Sequence, residues 1–259
     1  MTGEAPDYGL DAPGVVRNLL IAGAAGLLLF ASKALGLWKA VVTFTVGGVI
    51  VRFPLAPMGL FGGAACFGMA LWMIWTSKVG KIQEREKLLD RIAWKGNEHV
   101  LDVGCGRGLM LVGAAKRLTN GTATGVDIWQ AEDLSGNTPD AALENARREG
   151  VAERVAVKTA DMRSLPFPDG TFDVVVSCAA IHNLYVREDR AKAVREISRV
   201  LKPGGRAVID DIRNGREYAA GFAANGCRKV ENTGPPFEAL LLALMTMGSL
   251  RPATILVTK

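Results

Sequence analysis

The chain reads as two patterns joined end to end. From Phe53 to Ser77 there are 25 consecutive residues without a charge, and their core, Met58 to Thr76, closes on Trp72-Met-Ile-Trp75. A bilayer-crossing helix takes ~20 apolar residues, and tryptophans favour the interface. Gly59, Gly62, Gly63 and Gly68 suit helices that approach closely in a membrane. An earlier span is predicted from Val15 to Ala31, built on Leu19 to Phe30. Ala40 to Val51 between them is apolar but short. It reads either as a third span, if extended back to Ala34, or as a re-entrant or interfacial piece. From Lys78 onward the pattern changes. A charged helix, Lys81 to Ile92, is followed by short β-branched runs that alternate with segments of helical period.

The runs predicted as strands are His99–Val103, Thr122–Asp127, Val155–Asp161, Phe172–Cys178 and Arg206–Asp211. A closing pair is expected at Cys227–Asn232 and Ala253–Thr258. Helices are predicted at Leu109–Leu118, Pro139–Arg148 and Arg187–Val200. Thr138 stands as N-cap and Pro139 takes the first helical position of the second. Strand–helix alternation predicts a parallel, doubly wound sheet. Between the closing strands, Ala239 to Met247 is almost wholly apolar. It predicts a short helix over an acceptor pocket or against a bilayer, with packing on the sheet as the plainer alternative.

Composition sharpens the division. Of 31 basic and 26 acidic residues in 259, only four and three fall before Lys78. Three regions follow: a transmembrane helical region at 1–77, a basic juxtamembrane helix and linker at 78–96, and a globular domain at 97–259. The basic run after Ser77 favours the cytoplasmic side. The acidic start (Glu4, Asp7, Asp11) lacks the basic region of a cleaved leader. Span length favours two crossings and charge distribution three. A net charge of +5 is no nucleic-acid footprint. Cys66, Cys105, Cys178 and Cys227 have neither CxxC nor metal-ligand spacing, so no metal site is expected.

The candidate chemistry sits after the first parallel strand. Gly104, Gly106 and Gly108 make a tight turn between strand and helix, where backbone can approach a ligand. No Lys-Ser/Thr follows, which excludes a P-loop. Leu109 stands where a dinucleotide loop needs Gly or Ala. The spacing GxGxG, with Asp102 two positions upstream, suits S-adenosylmethionine. Asp127, closing the second strand, is placed to accept both ribose hydroxyls.

VLDVGCGRG (100–108), GVDIW (125–129), ADM (160–162), FDVVVSCAAIHNL (172–184) and REISRVLKPGGR (195–206) follow one another at characteristic spacing. Over residues 85–259 the chain resembles class I S-adenosylmethionine-dependent methyltransferases, most of all the ubiquinone/menaquinone-biosynthesis and sterol group. The resemblance implies a Rossmann-like α/β fold with a seven-stranded, mostly parallel sheet. Here two to three transmembrane spans precede it. It implies that Gly104, Cys105, Gly106 and Gly108 surround the methionine moiety and that Asp102 serves the ammonium. Asp127 would hold the ribose, Ile128 would pack on adenine, and Asp161 would accept from the adenine amino group beside Met162. Cys178 and Ala179 would face the sulfonium. His182 is a candidate for orienting the acceptor or acting as base, with a loop role near the cofactor carboxylate as the equal alternative. Asp210 and Asp211 end the fifth strand at the edge where such sheets place ligands, and Asp211 is the second catalytic candidate.

The function these readings imply is a membrane-anchored methyltransferase acting on a small or lipophilic acceptor: a quinol, phenol, thiol or lipid. Protein or nucleic-acid methylation is the alternative, although Ser177-Cys-Ala-Ala180 replaces the Asn/Asp-Pro-Pro-Tyr such enzymes carry there. A membrane scaffold that binds the cofactor without turnover is the non-enzymatic alternative. A short-chain reductase is excluded for want of Tyr-x-x-x-Lys. The expected partners are the small-molecule substrate and the lipid bilayer, with no nucleic acid.

Overall fold

The computed structural model describes residues 4–37, 41–233, 244 and 246–259. The chain forms two compact units. The first takes in residues up to Gly9, Lys81–Ala131 and Gly136–Lys259. The second takes in Leu10–Gly80 and Glu132–Ser135.

The second unit holds α1 (Pro13–Ala34), strands β1 (Val41–Val46) and β2 (Val49–Pro54), and α2 (Leu55–Trp75). Helix α1 packs on α2 through glycines. A Cβ on Gly26 would lie 2.7 Å from the Gly59 carbonyl, and one on Gly59 would lie 2.6 Å from the Gly26 carbonyl. Only glycine lets the two backbones come this close. Both helices are long and apolar enough to cross a membrane, and both leave most of their surface uncovered within the chain.

Residues 41–51 form no third helical span. Val41–Val46 and Val49–Pro54 pair as an antiparallel hairpin. The cause is local: Val, Thr, Ile and Phe favour strand. Gly47 (φ +57°) and Gly48 (φ +84°) supply the two positive-φ positions that a two-residue hairpin turn requires.

The first unit carries α3 (Lys81–Leu89), β3 (His99–Val103), α4 (Leu109–Ala115), β4 (Thr122–Asp127), α5 (Pro139–Arg148), β5 (Val155–Thr159), β6 (Phe172–Cys178), α6 (Arg187–Val200), β7 (Leu201–Asp211), α7 (Gly215–Ala224), β8 (Lys229–Asn232) and β9 (Ala253–Thr258). Its seven-stranded sheet has the order β5-β4-β3-β6-β7-β9-β8. The five strands β3 to β7 run parallel, and β9 lies antiparallel to both β7 and β8. The five parallel strands are those the alternation predicts, and the antiparallel close makes it the mostly parallel sheet the resemblance implies. Residues 100–103 of β3 and 174–177 of β6 are fully buried, as strands covered on both faces must be. One core, with Ile197, Ile209, Tyr218 and Phe222, and another, with Leu88, Leu89, Leu111 and Val174, fill the space against the sheet.

Helices α5 and α6 have the predicted bounds. The Thr138 hydroxyl accepts from the Ala141 amide at 3.2 Å, completing the N-cap. Other boundaries differ: α3 ends at Leu89, α4 ends at Ala115 and β8 begins at Lys229. β7 begins at Leu201, because Lys202-Pro-Gly-Gly205 stays extended beside β6 through a register shift at Phe172/Val174. The fifth predicted strand thus gains five residues. β5 stops at Thr159, leaving Asp161 in the following turn. The stretch up to Gly9, expected within 1–77, belongs to the sheet-bearing unit. Residues 234–243 and 245 lie outside the described residues, and with them most of the helix expected over Ala239–Met247.

Candidate cofactor and acceptor site

Strands β3 to β7 end on one edge of the sheet, and every predicted site residue lies on or just beyond that edge. Asp102 lies near the end of β3 and Gly104 to Gly108 follow it, Asp127 ends β4 with Ile128 next, Asp161 and Met162 follow β5, Cys178 ends β6 with Ala179 to His182 after it, and Asp211 ends β7.

The glycine loop is built on positive φ. Gly104 (+74°), Gly106 (+52°) and Gly108 (+85°) all lie where L side chains are strained. A Cβ on Gly104 would also overlap Ala180 and come within 3.5 Å of the Met162 methyl. The Gly104 and Cys105 amides both donate to the Val126 carbonyl, at 2.8 and 3.0 Å, which pins the start of the loop to β4. Cys105 turns its thiol inward against Gly125, and its carbonyl accepts from the Gly108 amide. Burial raises its thiol pKa well above the ordinary value. Of the loop residues expected to meet the cofactor, Cys105 is the one with a side chain, and that side chain is buried.

Asp127 organises the loop before any ligand arrives. Its carboxylate accepts from the Gly106 amide at 2.8 Å, from the Trp129 amide at 2.6 Å and from Asn137 at 3.3 Å. Trp129 takes φ +63°, uncommon for a non-glycine residue, and its indole donates to Thr159. Ile128 is 48% exposed and free to lie along a flat ligand. Asp161 is tied to Arg163 by several bonds, the shortest 2.6 Å. That guanidinium holds its carboxyl below the usual range. Met162 is half-buried between the Asp161 turn and Gly104.

Asp102 is buried beneath the loop, and neither of its oxygens makes a hydrogen bond. Burial pushes its pKa up to about 8. The nearby Leu111 amide works against the shift, and the Asp127 charge adds to it. An orphaned buried carboxyl at this point is a polar group in want of a cation. S-adenosylmethionine carries an ammonium and two ribose hydroxyls. The residues present fit it: an open glycine cradle, a half-exposed Asp127 and an unsatisfied Asp102.

The second cluster follows β6. Cys178 is half-buried at the strand end, and Ala179 takes φ +50° while its amide donates to the Asp210 carbonyl at 2.9 Å. The next turn, Ile181–Asn183, sets His182 against Asp211. The His182 amide donates to Asp211 Oδ2 at 3.0 Å, and His182 Nδ1 lies 2.5 Å from Asp211 Oδ1. The Ile212 amide and the Tyr218 hydroxyl also donate to Asp211, at 2.8 and 3.2 Å. The Asp211 side chain is 1% exposed and that of His182 is 15% exposed. With an acceptor carboxylate 2.5 Å away, Nδ1 is the ring nitrogen that carries a hydrogen toward Asp211. Burial and the Asp211 charge raise the pKa of Tyr218, so its hydroxyl stays a donor. Asp210 points elsewhere, to Thr254 at 2.6 Å, and burial lifts its pKa to about 6.

Residues 101–209 match the family model of a methyltransferase domain. Residues 101–209 are a methyltransferase domain. Its type is the class I, S-adenosylmethionine-dependent one. Among curated relatives, the chain is 33% identical over 143 residues to a sterol 4-C-methyltransferase of Caenorhabditis elegans, covering 53% of this chain and 40% of that protein. It is 36% identical over 125 residues to a demethylmenaquinone methyltransferase of Lactiplantibacillus plantarum, covering 48% of this chain and 49% of that protein. The chain therefore spans half or less of the length of these relatives. The fold is shared with a geranyl diphosphate methyltransferase solved with S-adenosylmethionine (TM-score 0.53, 22% identity, 68% of this chain and 84% of that one).

Tyr218, Asn137 and Ala180 were not singled out from sequence. Tyr218 lies on α7, which no predicted element covered, and Asn137 lies in the long loop after Trp129. The signal available for Tyr218 was its distance of seven residues from Asp211, about two helical turns past a strand end.

Proposed function

We propose that this protein is a membrane-anchored methyltransferase for a small, lipophilic acceptor that must lose a proton, such as a quinol, a phenol or an enolisable carbon acid. The observation that carries the acceptor reading is the His182–Asp211–Tyr218 chain at the carboxyl edge of β6 and β7, beside the glycine cradle. Bound S-adenosylmethionine supplies a methyl group already activated on sulfonium. The domain's own work is then to align and to accept a proton.

Asp127 holds the ribose hydroxyls, Asp102 answers the ammonium, and Ile128 and Met162 flank the adenine. His182 takes the acceptor proton at Nε2 while Asp211 holds Nδ1–H and stabilises the charge that forms on the ring. Tyr218 and the Ile212 amide keep Asp211 from turning. Beyond His182, Tyr185 is 86% and Val186 54% exposed, an apolar pair suited to a lipophilic acceptor. The relatives named for menaquinone precursors and sterols support the same substrate class.

Pro13–Ala34 and Leu55–Trp75 serve as two membrane crossings, and the basic run from Lys78 places the catalytic domain on the cytoplasmic side. The test is full-length protein in lipid nanodiscs, given methyl-labelled S-adenosylmethionine and a panel of quinols, phenols, sterols and thiols. Label transfer to a quinol or phenol, abolished in His182→Ala, is the expected result. Cofactor binding without transfer to any acceptor would favour a scaffold, and transfer in His182→Ala at the native rate would remove the base.

A further inference from the structure

The hairpin β1–β2 has two unlike faces. Register pairs Val42 with Phe53, Phe44 with Val51 and Val46 with Val49. Side chains alternate along a strand, so these six residues share one face, and it is wholly apolar. The other face carries Thr43 opposite Arg52 and Thr45 opposite Ile50, with Val41 and Pro54 at the open end. Val42, Phe44, Val46, Val49 and Phe53 are 44–64% exposed, so the described residues leave most of the apolar face uncovered.

We propose that this hairpin lies flat in the bilayer interface, its apolar face on the acyl chains and its Thr43–Thr45–Arg52 face toward headgroups and water. The proposal rests on the reading that Pro13–Ala34 and Leu55–Trp75 cross the bilayer. The hairpin joins those helices, and Leu55 begins α2 directly after Pro54 ends β2. The turn between two crossings must therefore sit where the hydrocarbon ends.

Alternative depths fail on physical grounds. Each strand has six residues, against ~9–11 for a strand that crosses a bilayer. A two-stranded ribbon has two open edges, and unpaired amides are not tolerated in hydrocarbon. In water, an isolated hairpin is marginal and would leave five apolar side chains of that face exposed. Only the interface satisfies edge amides with water and headgroups while covering Phe44 and Phe53 with lipid. Arg52, on the polar face, is a cation at the depth of lipid phosphate.

The experiment uses the full chain in phosphatidylcholine nanodiscs at one chain per disc. Single replacements Thr43→Cys, Thr45→Cys, Phe44→Cys and Val46→Cys are labelled with a charged maleimide. Peptide mass mapping separates them from the four native cysteines. Leu28→Cys on α1 and Phe61→Cys on α2 report the crossings. The inference expects Thr43→Cys and Thr45→Cys to react at least tenfold faster than Phe44→Cys and Val46→Cys, with Leu28→Cys and Phe61→Cys protected. Equal rates at the four hairpin sites, fast or slow, with the helix sites protected, overturn the hairpin placement and leave the crossings standing. Protection of Phe44→Cys only when two chains share a disc makes a second copy the occupant and overturns it too. Fast reaction at Leu28→Cys and Phe61→Cys sinks the crossings and the hairpin placement together.

Discussion

Asp7 holds Arg107, the residue between the second and third glycines of the cofactor loop. Its carboxylate accepts from Arg107 Nη2 at 2.9 Å and its backbone carbonyl accepts from Nε at 2.7 Å. Asn145 of α5 fixes Asp7 from the other side, donating to its carbonyl and accepting from its amide, each at 2.9 Å. The next residue, Tyr8, is buried and shares Glu149 with Arg85. The amino-terminal segment thus straps the loop down. Asp7→Ala should weaken S-adenosylhomocysteine binding two- to fivefold, the scale of a partly exposed ion pair worth ~0.5–1 kcal/mol. Calorimetry giving native affinity would show that the strap does not order the loop.

Asp127 has two duties, so its replacements should separate them. Asp127→Ala loses the bonds to the Gly106 and Trp129 amides and the two expected to ribose. Bonds to a charged group are worth ~1.5–3 kcal/mol each, and affinity should fall at least a hundredfold. A ligand lacking the ribose hydroxyls should lose much less on passing from native protein to the variant. An equal loss for both ligands would take the ribose role away from Asp127.

Asp102 makes binding pH-dependent. Its folded pKa of about 8 lies above its ordinary value of 3.8. The native state therefore holds a proton that the unfolded state has lost, and stability declines as pH rises from about 4 to 8. Asp102→Asn should raise the melting temperature of the ligand-free protein at pH 8 and have little effect at pH 4. Cofactor ammonium favours the carboxylate, so binding at pH 7 should release up to about one proton. Heats of binding that do not change between buffers of different ionisation enthalpy would contradict this.

His182→Ala should lower kcat ~10²–10⁴-fold, the range for a positioned base, and leave cofactor affinity within twofold. Asp211→Asn should cost nearly as much, because an amide can present a donor to Nδ1 and favour the wrong tautomer. Tyr218→Phe removes one bond to Asp211, and a smaller loss with a shifted pH–rate profile is expected. Loss of cofactor binding in His182→Ala would return this residue to a loop role beside the methionine carboxylate.

Membrane attachment has its own measurement. Alkaline carbonate should leave the full-length chain in the membrane pellet, while residues 78–259 expressed alone should be released. Full-length protein in the supernatant would end the anchoring proposal.

The order of strands and helices from His99 to Val200 was legible because each element states its own period. β3 and β6 are short runs rich in valine, α5 carries its cap and Pro139, and the glycine loop needs positive φ at three fixed positions whatever surrounds it. The apolar helices were legible from length alone. The hairpin's signal was also local, a β-branched alternation around Gly47-Gly48, but its apolar content imitates a membrane span until strand pairing is considered. What no local pattern could supply is contact at a distance. Asp7 meets Arg107 across 100 residues, and Asp211 gathers His182 from 29 residues upstream and Tyr218 from a helix beyond. Asp102 is legible in sequence as the strand acid two positions before the glycine loop, but its charge state is not. Its raised pKa exists only because the folded sheet removes it from water and gives it no partner. Residue types and spacing set the backbone, which depends on near neighbours. The charge states and hydrogen-bond chains of the site depend on burial, which the assembled sheet alone creates.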